Sequence, residues 1–199
     1  MSWPLAARAQ QPAMPVIGYL SFTSPDDRPT LLAAFLQGLE QAGYVVGKNV
    51  AIEYRSAGGH YERLPALVTE LVKLPATVIA ATGGEASVRA AKSVTSQIPI
   101  VFTMGTDPVK AGLVASLNRP GGNVTGVSLV GYELDAKRLQ LLHELVPKAT
   151  TIGVLVNAKS PSVQPALAEM YAAADVNGQR LVVLNAGTEA ELEATFASL

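Results

Sequence analysis

The chain has 199 residues, and 15 Lys and Arg against 16 Asp and Glu leave a net charge of −1, so there is no basic surplus to hold a phosphate backbone and nucleic acid is excluded as a partner. Hydrophobic residues make up 49% and charged residues 16%, a globular composition with a large core rather than a disordered one. The absence of Cys excludes disulfides, thiolate metal sites and Cys nucleophiles, and no run reaches the roughly 18 apolar residues of a membrane span.

Residues 1–13 are set apart from the fold. Trp3 to Gln10 has the look of the tail of a secretory signal peptide, with Ala7-Arg8-Ala9 as a small-x-small pattern before Gln10; the other reading is a plain polar leader. From Val16 to Phe22 an apolar run reads as a buried strand. Leu31, Leu32, Phe35, Leu36 and Leu39 then recur at helical spacing, with Gly43 suited to the helix end. Val50, Ile52 and Tyr54 alternate as a second strand. Leu64, Leu67, Val68, Leu71 and Val72 mark a second helix, stopped by Pro75. Thr77–Ala81 is a third strand. It is followed by a tight turn, Thr82-Gly83-Gly84-Glu85, and a helix whose close-packed face is Ala86, Ala90, Ala91 and Val94.

Ile98–Thr103 reads as a fourth strand. Asp107-Pro108 has the form of an N-cap with Pro at the first helical position. It predicts a fourth helix with Val109, Leu113, Val114 and Leu117 inward. Asn118–Gly122 is a turn and Val124–Val130 a fifth strand. The rhythm then restarts: a helix from about Glu133 to Val146 with Leu134, Leu141, Leu142 and Leu145 buried, a strand at Thr151–Val156, a helix over 162–175, a strand at Arg180–Leu184 and a last helix from about Glu189.

Strict β-α alternation with apolar strands predicts an α/β fold of parallel sheets covered on both faces. Five strands complete one lobe, 14–128. Two strands are all that 129–199 supplies, so a partial second lobe is expected, incomplete or borrowing structure from elsewhere.

In such sheets, ligands sit beyond the carboxyl ends of the strands. Three turns qualify in the first lobe: Ser21-Phe22-Thr23, Thr82-Gly83-Gly84-Glu85 and Met104-Gly105-Thr106-Asp107. Their hydroxyls, glycine-exposed amides and helix starts favour an anion such as a carboxylate. Thr82 and Asp107 equally suit helix caps. Glu85 either binds a ligand ammonium or steadies the first turn of its own helix. Phe22 either stacks on a ligand or fills the core edge. Asn157 and Asn185 end strands of the second lobe and are the candidates to face the first across a cleft. Enzyme signals are poor: His60 sits in a Gly-rich loop with no obvious partner, His143 reads as surface decoration of an amphipathic helix beside Glu144, and there is no G-x-S-x-G, Walker A, H-E-x-x-H or G-x-G-x-x-G in the right context. No metal or cofactor is expected.

Several stretches together resemble a known family. They are Val16-Ile17-Gly18-Tyr19-Leu20, then Pro99-Ile100-Val101-Phe102 leading into Gly105-Thr106-Asp107-Pro108-Val109, then Gly112 to Leu117. Arg119-Pro120-Gly121-Gly122-Asn123-Val124-Thr125-Gly126 completes the block. This resembles the ABC transporter substrate-binding proteins of the tryptophan/tyrosine type, over about residues 14–199. The resemblance implies a two-lobed type I periplasmic-binding fold, a small ligand, commonly an amino acid, an ABC permease as partner, and export to the periplasm. It places the ligand at the turns after the first, third and fourth strands. It departs at Thr82-Gly83-Gly84-Glu85, where relatives often have Thr-Pro-Ala-like turns, and in ending before the second lobe is complete. Competing readings are an α/β enzyme on a small polar metabolite, the sensing domain of a transcription regulator (for which the leader supplies no helix-turn-helix) and a non-functional fragment of a longer binding protein.

Overall fold

The computed structural model describes residues 14–129 and 134–198. The leader at 1–13 and the residues around Glu133 therefore lie outside the described residues. Apolar runs of strand length and amphipathic stretches alternate as the sequence predicts. The order is β1 (Val16–Ser21), α1 (Pro29–Gln41), β2 (Ala51–Ser56), α2 (Leu64–Lys73), β3 (Ala76–Thr82), α3 (Glu85–Val94), β4 (Ile100–Met104), β5 (Val124–Ser128), α4 (Asp135–Leu145), β6 (Thr151–Val156), α5 (Val163–Val176), β7 (Arg180–Asn185) and α6 (Glu189–Ala197). The first five strands form one sheet in the order β2-β1-β3-β4-β5, and β6 and β7 form a second. Every strand pair is parallel.

Register assigns the two faces of the large sheet. Leu20 lies beside Ala81, and Ile79 beside Ile100. These residues, with Phe102 and Met104, pack under α2 and α3 against Leu64, Val68, Leu71, Val88 and Ala91, and most of them are wholly buried. On the opposite face Ile17, Tyr19, Val50 and Ala80 pack against Leu32, Phe35 and Leu39 of α1. That helix covers only the β2-β1-β3 half: Val101 of β4 and Val127 of β5, on the same face, are exposed.

Two expectations fail. No α-helix follows Asp107. Its side chain does accept from the amides of Val109 and Lys110, at 2.7 and 3.2 Å, as a cap would. But Gly112 adopts φ +68 one turn later, which ends the turn. The freed carbonyls find basic side chains of α3 instead: Arg89 donates to Ala111, and Lys92 to Gly112 and Leu113. Leu113 and Val114 are buried as expected, whereas Val109 and Leu117 are exposed, Leu117 at 70%. In α4 the side chain that goes inward is Leu139; Leu134, Leu141, Leu142 and Leu145 are exposed, Leu145 at 78%. The helix packs on α5 beside a two-stranded sheet, and that small partner has surface for one side of it only.

Candidate functional site

The order β2-β1-β3-β4-β5 reverses direction at β1/β3, the switch point at which a crevice opens beyond the strand ends. A cleft of about 600 Å³ lies there, within the size range of small-molecule sites, roughly 300–1,000 Å³. Three elements build its walls. From the end of β1 come Ser21, Phe22 and Thr23, from the end of β3 Thr82, Gly83 and Gly84, and from the end of β4 Thr103 and Gly105. Tyr19 and Phe35 form an aromatic floor, their ring centroids 5.1 Å apart. Tyr54 lies behind Tyr19, its ring tilted and the centroids 5.5 Å apart, and burial, reinforced by the Tyr19 phenol, raises the Tyr54 pKa. Arg28, the residue that precedes Pro29 at the start of α1, lines the same cleft.

Glycine is required at one point of this wall. Gly83 has φ +91, and a Cβ there would meet the Phe22 backbone nitrogen at 2.7 Å and its Cβ at 2.9 Å. The β1 and β3 turns thus touch backbone to backbone, which leaves the amides at the start of α3 close to the cleft. Thr82 does not cap its helix: its hydroxyl donates to the Leu20 carbonyl at 3.1 Å, tying β3 to β1. The N-cap of α3 is Gly84, which has no side chain to cap it.

A second, narrower gap of about 120 Å³ separates the two sheets' turns. Gly83, Gly84, Glu85, Gly105 and Thr106 line one side; Ser160, Pro161 and Ser162, from the turn after β6, line the other. Thr106 Oγ1 is buried here without a hydrogen-bond partner among the described residues. Glu85 is buried, with Arg89 at 2.5 Å one helical turn on, so its carboxylate already has a partner. Lys110 and Glu169 pair across the sheets at 3.2 Å.

Of the candidate residues, Ser21, Phe22, Thr23, Thr82, Gly83, Gly84 and Gly105 surround the large cleft, and Glu85 and Thr106 border the gap beside it. Asp107 holds its own turn and lines a smaller cavity of about 130 Å³ with Lys110 and Glu169. One face of Phe22 is taken, because Tyr61 stacks on it at 4.0 Å. Asn157 accepts from the Lys159 amide and lines a cavity, other than the large cleft, to which Tyr61 of the first region also contributes; Asn185 lines none of the described cavities. The Ser160-Pro161-Ser162 turn, which follows β6, lines the gap facing the first sheet. Its position at a strand end was a signal of the same kind as the others. Arg28 and Tyr61, on a helix lead-in and a short 3₁₀ turn, carried no such signal.

The ABC transporter substrate binding protein family matches residues 17–199. The "Tyrosine-binding protein" of Clostridioides difficile (strain R20291) is 34% identical over 165 residues, 83% of this chain and 47% of the relative, so the chain spans about half the length of that curated relative. Among solved structures, a conserved domain protein from Vibrio cholerae has TM-score 0.80 at 27% identity, over 93% of this chain and 62% of that one. An ABC domain from Streptococcus pneumonia, crystallised with L-Trp, has TM-score 0.76 at 24% identity, over 92% and 61%, and shares the fold. A leucine-binding protein from Thermotoga maritima, at 12% identity and TM-score 0.65, shares the type I periplasmic-binding architecture as well. Members of the matched family bind substrates and are not enzymes. The chain belongs to the ABC transporter substrate-binding protein family.

Proposed function

We propose that this chain is the solute-binding part of an ABC importer, exported to the periplasm, and that it captures an amino acid or related small acid for a membrane permease. The single observation that carries this reading is the 600 Å³ cleft at the β1/β3 switch point, with hydroxyls, glycine turns and an aromatic floor converging on it. The Clostridioides relative's name points to an aromatic amino acid, and the Tyr19–Phe35 floor is the surface on which such a ring would rest. In this reading residues 14–128 and 129–199 are two lobes. Ser21, Thr23, Thr82, Gly83, Gly84, Gly105 and Thr106 hold the ligand on the first, and Ser160 and Ser162 approach it from the second. A ligand gripped from both sides loses water and favours the closed arrangement by its differential affinity.

Among the described residues no helix is long and apolar enough to cross a membrane. The test is a thermal-shift titration of the purified chain with L-tyrosine, L-tryptophan and L-leucine. A concentration-dependent rise in Tm with an aromatic amino acid is the expected result, because a ligand of the folded state stabilises it by mass action. A cooperative melt unmoved by all three would overturn the aromatic reading.

A further inference from the structure

The charge lining the large cleft is one-sided. Arg28 is the cationic side chain on its wall, and no Asp or Glu stands among its lining residues. Arg28 has no ion pair among the described residues. The nearest carboxylates in sequence, Asp26 and Asp27, do not line the cleft, and Asp27 is occupied in accepting the Ser24 amide at 3.0 Å. The candidate acceptor for a ligand ammonium, Glu85, borders the neighbouring gap instead and is held by Arg89 at 2.5 Å. Gly83 and Gly84, which lead into α3, line the same cleft, and the helix start adds positive partial charge there.

We infer that the cleft recognises its ligand by an acid group held at Arg28, with the aromatic or apolar part on Tyr19 and Phe35, and that the amino group is dispensable. This rests on the proposed binding function and narrows it: the first lobe selects aromatic monocarboxylates whether or not they carry an amine. The guanidinium suits this task because it offers a planar pair of donors to a carboxylate. Arg28 is exposed at the cleft mouth, so its worth is reduced by solvent screening and is expected to be about tenfold in affinity.

Calorimetric titration with three probes of one ring tests the inference: L-tyrosine, 3-(4-hydroxyphenyl)propionate, which lacks the amine, and tyramine, which lacks the acid. The two acids are expected to bind within about threefold of each other and tyramine at least about tenfold more weakly. Arg28→Gln is expected to weaken both acids about tenfold and leave tyramine unchanged, while Arg28→Lys recovers part of the loss. Thermal melts of both variants, expected to match the parent, separate lost recognition from lost folding. If tyramine binds as well as tyrosine, or Arg28→Gln binds the acids normally, the acid-first inference fails and the binding function stands. If 3-(4-hydroxyphenyl)propionate does not bind while tyrosine does, the amine is required and the inference fails likewise. If none of the three binds a cooperatively folded chain, the aromatic binding function itself fails and takes the inference with it.

Discussion

The two sheets are made from the same βα unit, yet they hide their apolar residues to different extents. In the five-stranded sheet, Leu20, Ile79, Ile100, Leu71 and Val88 are wholly buried between strands and helices. In the two-stranded sheet the buried cluster shrinks to Leu139, Val154, Leu167, Ala174 and Leu181, while Leu145, Val176 and Phe196 stand in solvent. The composition of the two regions is similar, so the difference is geometric. A central strand lends both edges and both faces to neighbours, whereas each strand of a pair keeps one edge free and gives a helix little to lie on. The same contrast divides the site: the large sheet builds the cleft, and the small one contributes the Ser160–Ser162 turn to the neighbouring narrower gap.

The largest expected effect tests that contrast directly. Leu20→Ala should cost about 3–5 kcal/mol of stability in urea denaturation, and Leu139→Ala about 2, the lower end of the range for buried leucines, because the smaller cluster relaxes more readily. Equal losses would mean that the small sheet is as tightly packed as the large one. Next, Gly83→Ala forces a side chain into the left-handed region and against Phe22; a loss of about 1–3 kcal/mol is expected, together with weaker ligand binding. Normal stability and binding in this variant would show that the β1 and β3 turns separate freely.

Leu145→Lys, on the open side of α4, should change stability by no more than about 0.5 kcal/mol and improve solubility. A large loss in the same denaturation assay would mean that this leucine is covered in solution. The smallest effect is confined to the second sheet and depends on pH. The Glu191 carboxylate accepts the Gly187 amide at 2.7 Å, which, with the Lys159 charge, holds its pKa below the usual carboxylate range. A depressed carboxylate stabilises the fold above its unfolded pKa and loses that contribution as pH falls through its folded pKa. Acidification should therefore lower the protection of the Gly187 amide against hydrogen exchange, measured relative to an unstructured peptide at the same pH, an effect absent in Glu191→Gln, while the protection of β1 and β3 amides stays unchanged over the same range.

Much of the first region was legible in the residues. Alternating apolar runs place all seven strands, and the strand-end rule by itself points to Ser21, Thr82, Gly83 and Gly105, which line one cleft. The misreadings share a cause. Asp107-Pro108 carries the signature of a helix start, and the cap forms, but Gly112 and the reach of Arg89 and Lys92 to the following carbonyls make an open turn the better solution. The leucines of α4 have helical spacing, but periodicity states which residues share a face, not whether a partner exists to cover it. Asn157 satisfies its own turn, and Asn185 ends its strand away from the cleft, because strand-end polar residues serve local hydrogen bonding as readily as a ligand.

By itself the sequence determined the order of elements, the parallel pairing and the family, since these follow from local periodicity, glycine and proline punctuation and one contiguous block from Gly105 to Gly126. Only the tertiary structure decided which charges were free to act. Glu85 and Arg28 both stand beside helix starts in the sequence, Glu85 with Arg89 four residues on and Arg28 directly after Asp26 and Asp27. Folding brings Arg89 onto Glu85 and leaves Arg28 at the mouth of the cleft, because side chains one helical turn apart meet on the same face while a residue ahead of its helix has no such neighbour.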